Sequence, residues 1–195
     1  MSSPRYVQFT ATSNALDYLH RACQYIHETE KNPLSWKWVV IALHGALYGF
    51  AVCALKGTNP DRVKMRGKSG QVRNSLIDFD DALKRCQEPE QMYPANVMPI
   101  VLSPGQSRSI RILKDELRNN FAHLIPKAWS IEIHGMPRIA IDCLEVVEAF
   151  IDSGAYLGLD QSDAVKARKE LHRAKHVLVS SKLLRSARKR IIHGN

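Results

Sequence analysis

The segment spanning residues 35–55 constrains the fold more than any other part of the sequence. It is apolar on nearly every face of a helix, and its main interruptions are Lys37, His44 and Tyr48. A helix that is hydrophobic all round must be surrounded, either by the core of a protein or by lipid. Because polar side chains interrupt the run, we interpret it as the central helix of a bundle and not as a membrane span. The sequence therefore predicts an all-α protein.

Three further segments carry the apolar period of an amphipathic helix. Residues 12–29 place apolar side chains three or four positions apart, and Ser13 or Asn14 offers an N-cap. Residues 72–87 and 142–156 show the same spacing. We expect these segments to pack around the central helix in a bundle of about five helices.

A well-marked helix start lies at Ser103. Serine is a favoured N-cap, Pro104 occupies the first helical position, and Gln106 stands three residues along as a capping-box partner. Pro126 ends this helix. Its predicted core stripe consists of Ile110, Leu113, Leu117, Phe121 and Leu124.

The remaining body segments are predicted to be loops and one short hairpin. Residues 61–70 are basic and glycine-containing, and residues 88–101 contain Pro89, Pro94 and Pro99, so both are interpreted as loops. Apolar and polar residues alternate in 129–133 and again in 138–142, on either side of a His-Gly-Met-Pro turn. This alternation predicts a short β-hairpin insertion.

The distribution of charge divides the chain. The formal net charge is +9, and the whole excess lies in residues 164–195, where ten Lys or Arg residues face one acid, Glu170. A chain of 195 residues has room for one domain and an appendage. We therefore predict a helical domain over residues 1–157 and a basic amphipathic C-terminal tail over residues 158–195.

Two interpretations of the tail stay open. As a nucleic-acid arm it would bind phosphates through its cations, with an affinity that falls steeply with salt. As an amphipathic helix it would pack its apolar residues on the body or on a second protomer. We expect a mixture of the two. The predicted nucleic-acid-binding residues are Lys166, Arg168, Lys169, Arg173, Lys175, Arg185, Arg188, Lys189 and Arg190.

The cysteines and the remaining motifs exclude several classes of chemistry. Cys23, Cys53, Cys86 and Cys143 are widely spaced and form no Cys-x-x-Cys pattern, so we interpret them as reduced, buried thiols. The sequence contains no glycine-rich phosphate loop and no Ser-His-Asp arrangement. We expect no metal and no cofactor. Without a signal-like N-terminus or a membrane span, the chain is expected to be soluble and cytoplasmic.

A candidate catalytic motif lies at the end of the helix that starts at Ser103. Arg118, Asn119 and His123 all fall outside its predicted core stripe, on the polar side of the helix. Asn119 and His123 are four residues apart, so the amide is expected to orient the imidazole. The last turn of the helix also favours a positive charge, which would stabilise a protonated His123.

This arrangement resembles the HEPN superfamily, whose signature is Arg-x4-6-His on a late helix of a helical bundle. Arg118, Asn119 and His123 match it, and the similarity extends over residues 12–155. The resemblance implies metal-independent RNA cleavage, in which a ribose 2′-hydroxyl attacks the adjacent phosphate. His123 would act as general acid or base, Arg118 would hold the phosphate, and Asn119 would fix the histidine tautomer.

The resemblance also implies partners. HEPN-like domains commonly pair their motifs across a two-fold axis, so we expect a homodimer with a composite site. RNA would be the substrate. A toxin or defence effector of this kind would have an antitoxin protein as a further partner.

Less specific interpretations remain alongside this one. An arginine and a histidine on a polar helix face are often ordinary solvated or ion-paired residues, and some HEPN-like domains only bind RNA or partner proteins. His44 is interpreted as a hydrogen-bonded core histidine, with a role supporting the site left open.

Overall fold

The computed structural model describes residues 5–67, 69–123, 126, 128–153 and 158–186. These residues form a helical bundle with one small antiparallel sheet, so the predicted all-α class is confirmed at this level. The main elements are α1 (Ala11–Glu28), α2 (Ser35–Lys56), β1 (Lys64–Arg66), β2 (Val72–Leu76), α3 (Phe79–Arg85), α4 (Pro89–Met92), α5 (Pro104–Arg111), a π-helical segment (Ile112–Arg118), α6 (Asn119–Ala122), α7 (Met136–Asp152) and α8 (Gln161–Ser180).

The helix α2 is the centre of the bundle, as its composition predicts. It packs against α1, α3, the π-helical segment and α7, and its largest buried side chains include Trp36, Phe50 and Leu43. By length and composition α2 could cross a membrane, but 67% of its most apolar stretch is buried inside the protein. A buried core helix meets the same criteria, so this observation is weak support for a membrane span.

Two glycines let α1 approach α2 closely. A Cβ atom on Gly49 would lie 2.7 Å from the Cβ and 3.0 Å from the Cα of Ala15. One turn earlier, a Cβ on Gly45 would lie 2.5 Å from the ring of Tyr18. Because packed interiors do not absorb even one added methyl group without shifts, these two positions fix the separation of the helices.

We therefore expect Gly49→Ala to destabilise the fold by about 1–3 kcal/mol, since the new methyl group meets the α1 backbone and not a movable side-chain end. Gly105 is the matched control, because its nearest non-neighbouring atom, Ser103 Oγ, would be 3.8 Å from an added Cβ. Gly105→Ala should leave stability unchanged or slightly raised. Urea unfolding of both variants measures the difference, and equal midpoints would contradict this account of the α1 and α2 contact.

The helix that starts at Ser103 is confirmed, including its cap. The Ser103 hydroxyl accepts a hydrogen bond from the Gln106 backbone N–H at 3.2 Å, and the Gln106 side chain accepts one from the Ser103 N–H at 3.0 Å. The elements α5, the π-helical segment and α6 run on without a break over residues 104–122, and we call this the motif helix. Its middle is wider than an α-helix, because the Asn119 N–H bonds the Lys114 carbonyl five residues earlier.

The predicted helix over residues 72–87 is wrong in its first half. Val72–Leu76 is a strand that pairs antiparallel with Lys64–Arg66, with Leu76 opposite Lys64. Residues 61–70, which were predicted to be a loop, therefore contain the strand β1. Gly70 has a φ of +78°, which lets the chain turn between the strands. The helix begins only at Phe79, because the Asp78 carboxylate caps it by accepting from the Asp81 N–H at 2.8 Å.

The predicted hairpin over residues 129–142 is also wrong. Residues 128–133 are irregular, and α7 already begins at Met136, with Pro137 in its first turn. A helix forms here because one of its faces is buried, and this helical period continues the apolar pattern downstream. The buried residues of that face are Met136, Ala140, Cys143 and Val147. The bundle's one observed hairpin within the described residues is therefore the β1–β2 pair. The predicted 88–101 loop likewise contains the short helix α4.

The tail begins with a helix that packs on the body. Ala167, Leu171, Ala174 and Leu178 of α8 are buried, and α8 lies along α1 and α7. Packing of the predicted amphipathic helix on the body is therefore confirmed for residues 161–180. The predicted boundary after residue 157 falls beside residues 154–157, which lie outside the described ones.

Candidate functional site

The three motif residues lie together at the C-terminal end of the motif helix. Arg118 is the last residue of the π-helical segment, Asn119 is the first of α6, and His123 is the C-cap. His123 is exposed, as predicted from the pattern, whereas Arg118 and Asn119 are half-buried. The wider π turn changes the angular positions that a regular α-helix would give these residues.

The amide of Asn119 contacts the arginine and not the histidine. Asn119 Oδ1 accepts a hydrogen bond from Arg118 Nη1 at 3.1 Å. The predicted side-chain hydrogen bond between Asn119 and His123 is absent among the described residues, where the two residues are joined only through the backbone, from the His123 N–H to the Asn119 carbonyl at 2.9 Å. Asn119 therefore holds the guanidinium in place, and the role assigned to it at the histidine is not supported by this geometry.

Arg118 borders a cleft between α1, α2 and the end of β2, which we call the Arg118 cleft. Its volume is about 380 Å³, and its polar lining comes from Asn14, Tyr18, His44, Tyr48 and Arg118. The Tyr48 hydroxyl donates a hydrogen bond to the Ile77 carbonyl, so this phenol is fixed in the wall. A cleft with an arginine at its edge and aromatic side chains in its walls fits a ligand that combines an anion with a flat ring.

His44 is part of this site, which the sequence alone did not establish. It is half-buried and stacks on Phe79 with 4.6 Å between ring centroids. Within the described part of the chain its ring nitrogens have no hydrogen-bond partner, so the predicted hydrogen-bonded core histidine is not what the structure shows. Burial, and then the positive charges of Arg118 and Lys114, lower the pKa of His44 to about 4, against an opposing effect of Asp80. The imidazole is therefore neutral at physiological pH.

The cations around the cleft differ in whether they are neutralised. Lys114 is ion-paired with Asp80 and lies 3.1 Å from Asp115 Oδ1. Among the residues that the structure describes, Arg118 has no carboxylate partner; its hydrogen bond goes to the neutral amide of Asn119. A half-buried guanidinium without a counter-charge in the described residues has the chemistry to bind an anion such as phosphate.

The predicted tail cations divide into two groups. Arg168 pairs with Asp152 at 2.8 Å and Lys175 pairs with Glu148 at 2.5 Å, so both are used in fixing α8 to α7. Lys166, Lys169 and Arg173 are exposed and carry no ion pair within the described ranges. Arg185 is exposed and donates to the Ser180 carbonyl. Arg188, Lys189 and Arg190 lie outside the described residues.

The tail and the motif are on different elements of the bundle. The helix α8 packs along α1 and α7, whereas the π-helical segment packs on α2. In the structure of one chain Arg118 therefore borders one cleft with His44 and Tyr18, and the described tail cations do not line that cleft. No sequence signal named Tyr18, because an isolated tyrosine on an amphipathic helix has no distinctive spacing.

The cysteines do not contribute a nucleophile. All four are free and buried, as predicted, and burial raises the pKa of each thiol, for Cys23 to about 12. The reactive species of cysteine is the thiolate, which this environment disfavours. The described part of the chain also contains no group of three or more His, Cys, Asp or Glu side chains placed to hold a metal ion.

Comparisons with protein-family models, curated proteins and solved structures found no match to this chain. The resemblance to HEPN domains therefore stays a prediction from the motif residues.

Proposed function

We propose that the protein is a metal-independent endoribonuclease of the HEPN type. The observation that carries this proposal is the half-buried Arg118 guanidinium, which has no carboxylate partner in the described residues and lies five residues before the exposed His123 on the same helix. A fixed cation and a solvent-accessible imidazole are the two groups that cleavage at a phosphodiester needs.

The proposed reaction begins with attack of a ribose 2′-oxygen on the adjacent phosphorus. His123 removes the 2′-hydroxyl proton as the new P–O bond forms, and the bond from phosphorus to the 5′-oxygen breaks. An acid protonates the departing 5′-oxygen, so the products are a 2′,3′-cyclic phosphate and a 5′-hydroxyl. Arg118, positioned by Asn119, stabilises the negative charge that develops on the phosphoryl oxygens.

The second proton transfer supports a dimer in this proposal. One chain presents one His123 and one Arg118, whereas acid and base are needed on opposite sides of the phosphate. Two copies related by a two-fold axis would bring a second motif to the same phosphodiester. A cytoplasmic RNA-cutting homodimer of this kind acts as a toxin or defence effector and is held in check by an antitoxin protein.

The test is incubation of the purified protein with total RNA in EDTA. The parent is expected to cleave, and His123→Ala is expected to lose activity by about 10²-fold or more, the usual contribution of a general acid or base. His27→Ala is the matched control, because His27 is also exposed near the C-terminal end of a helix. If His123→Ala cleaves as fast as the parent and the control, the proposal fails.

A second candidate function is RNA binding without cleavage. It is favoured by the exposed cations Lys166, Lys169 and Arg173, which share the solvent side of α8 and have no acidic partner in the described residues. Under this alternative, replacing these three residues by alanine weakens RNA binding and lowers its salt dependence, whereas Arg118→Ala and His123→Ala leave binding unchanged.

A further inference from the structure

The ring of Tyr18 lies flat on α2. A Cβ atom on Gly45 would lie 2.5, 2.6 and 2.7 Å from the Cδ1, Cγ and Cε1 atoms of Tyr18. Nearly equal distances to three ring atoms mean that the ring presents a face to the glycine and not an edge. The residue is still 36% exposed, and it borders the Arg118 cleft. The ring is therefore seated on the glycine, and the residue remains partly exposed at the cleft.

Two further groups in the same cleft have unused bonding capacity. His44 is held by its stack on Phe79, and its two ring nitrogens have no hydrogen-bond partner among the described residues. A neutral imidazole offers one donor and one acceptor. Arg118 adds a guanidinium with a positive charge that no described carboxylate neutralises. The cleft thus combines an aromatic face, a donor and acceptor pair, and a cation.

The size of the cleft agrees with this combination. At about 380 Å³ it lies in the range of roughly 300–1,000 Å³ that small-ligand sites occupy. A nucleotide is the ligand that has a flat base, a sugar with hydroxyl groups and a phosphate in one unit. Aromatic side chains bind such bases by stacking, with little regard to which base is present.

We propose that the Arg118 cleft binds one nucleotide of the RNA, with its base stacked on Tyr18, its phosphate on Arg118 and its sugar or phosphate oxygens hydrogen-bonded to His44. The identity of the ligand as RNA rests on the proposed function. In this arrangement Tyr18 and His44 position the substrate, and His123 carries out the chemistry.

The test measures the Kd of a fluorescent 2′-O-methyl RNA oligonucleotide, which lacks the attacking hydroxyl and is not cleaved. Anisotropy titrations are made in EDTA at one fixed salt concentration. Tyr18→Leu, which keeps a side chain over Gly45, is expected to weaken binding about tenfold through loss of stacking. Tyr18→Phe keeps the ring and should bind as the parent does. His44→Phe keeps the stack on Phe79 but removes both nitrogens, and it should weaken binding about fivefold.

The matched control is Tyr93→Leu, because Tyr93 is an exposed tyrosine, 57% accessible, that does not line the cleft. It should bind as the parent does. Unfolding midpoints within the range of the control show that each variant is folded, and Tyr18→Phe serves as the folded reference if Tyr18→Leu is destabilised.

The outcomes separate this inference from the proposed function. If His123→Ala abolishes cleavage while Tyr18→Leu and His44→Phe bind the probe as the parent does, nucleotide binding in the cleft is refuted and the proposed ribonuclease activity is supported. If the parent cleaves no RNA but the probe binds and depends on Tyr18, the ribonuclease is refuted and the cleft stands as a nucleotide site. If the parent does not bind the probe at all, nucleotide binding in the cleft is refuted.

Discussion

Replacing Arg118 by lysine is expected to reduce the rate of RNA cleavage by about 10²–10³-fold while the protein stays folded. Lysine keeps the positive charge but loses the planar fork that matches two phosphoryl oxygens, and it also loses the geometry of the hydrogen bond to Asn119. The fold should survive because the polar contact of Arg118 within the described residues is that single bond. Initial cleavage rates of a labelled RNA, measured in EDTA, give the ratio.

Arg111 supplies the control for this substitution. It is an exposed arginine at the end of α5 on the same motif helix, and it does not line the Arg118 cleft. Arg111→Lys should cleave at the parent rate. A lysine at position 118 that supports full activity would show that any cation suffices there, and the assignment of a bidentate phosphate contact would then be wrong.

Phe50→Ala is expected to be the most destabilising of the single substitutions considered, at about 3–5 kcal/mol. Phe50 lies on α2, is 1% exposed and belongs to the core that α2 forms with its neighbours. Truncation removes most of an aromatic side chain from the hydrophobic core and leaves a cavity that the neighbouring helices only partly fill. Urea unfolding followed by circular dichroism measures the loss.

Phe9 is the matched residue, because the same side chain is 71% exposed there, before the start of α1. Phe9→Ala should change stability by less than about 0.5 kcal/mol. A Phe50 variant with parent-like stability would mean that α2 is not the centre of the bundle. The candidate site would then lose its scaffold, since His44 and Tyr48 are carried by that helix.

The sequence predicted those parts of the fold where a single physical signal dominates. The composition of α2 allows only a surrounded helix, and the Ser103 capping box marks a helix start by chemistry that is local to four residues. Both are found as predicted. The strand Val72–Leu76 was predicted to be helical because its apolar residues fit a helical period. Its strand conformation is set by pairing with β1, which is a contact between separate segments.

Residues 129–142 show the converse error, because strands were predicted where part of the segment is helical. Alternating residues there predicted strands, but Ala140 and Cys143 are buried together on one face of α7. Short apolar runs fit both periods, and the packing partner decides between them. That partner was not visible in the local pattern.

The sequence predicted the motif residues of the candidate site but not the side chains that surround them. The exposure of His123 follows from the helical period, and the structure agrees. The contact of Asn119 with Arg118 was not predicted. The sequence also offers no signal for the π-helical segment, in which Leu113 and Leu117 are buried as was expected for an α-helix. His44 joins the site through the packing of α2 on the π-helical segment, and Tyr18 joins it through the packing of α1 on α2. Residue spacing within one segment does not predict either contact.

In the proposed reaction the neighbouring 2′-hydroxyl attacks the phosphate, and the chemical ends of the RNA fragments reveal whether it does. An RNA oligonucleotide with one 2′-deoxy position is incubated with the parent protein in EDTA, and the fragments are identified by mass spectrometry. We expect 2′,3′-cyclic phosphate and 5′-hydroxyl ends at every cut, with the bond after the deoxy position spared. Cleavage at that bond, or fragments that carry 3′-hydroxyl and 5′-phosphate ends, would contradict the proposed reaction.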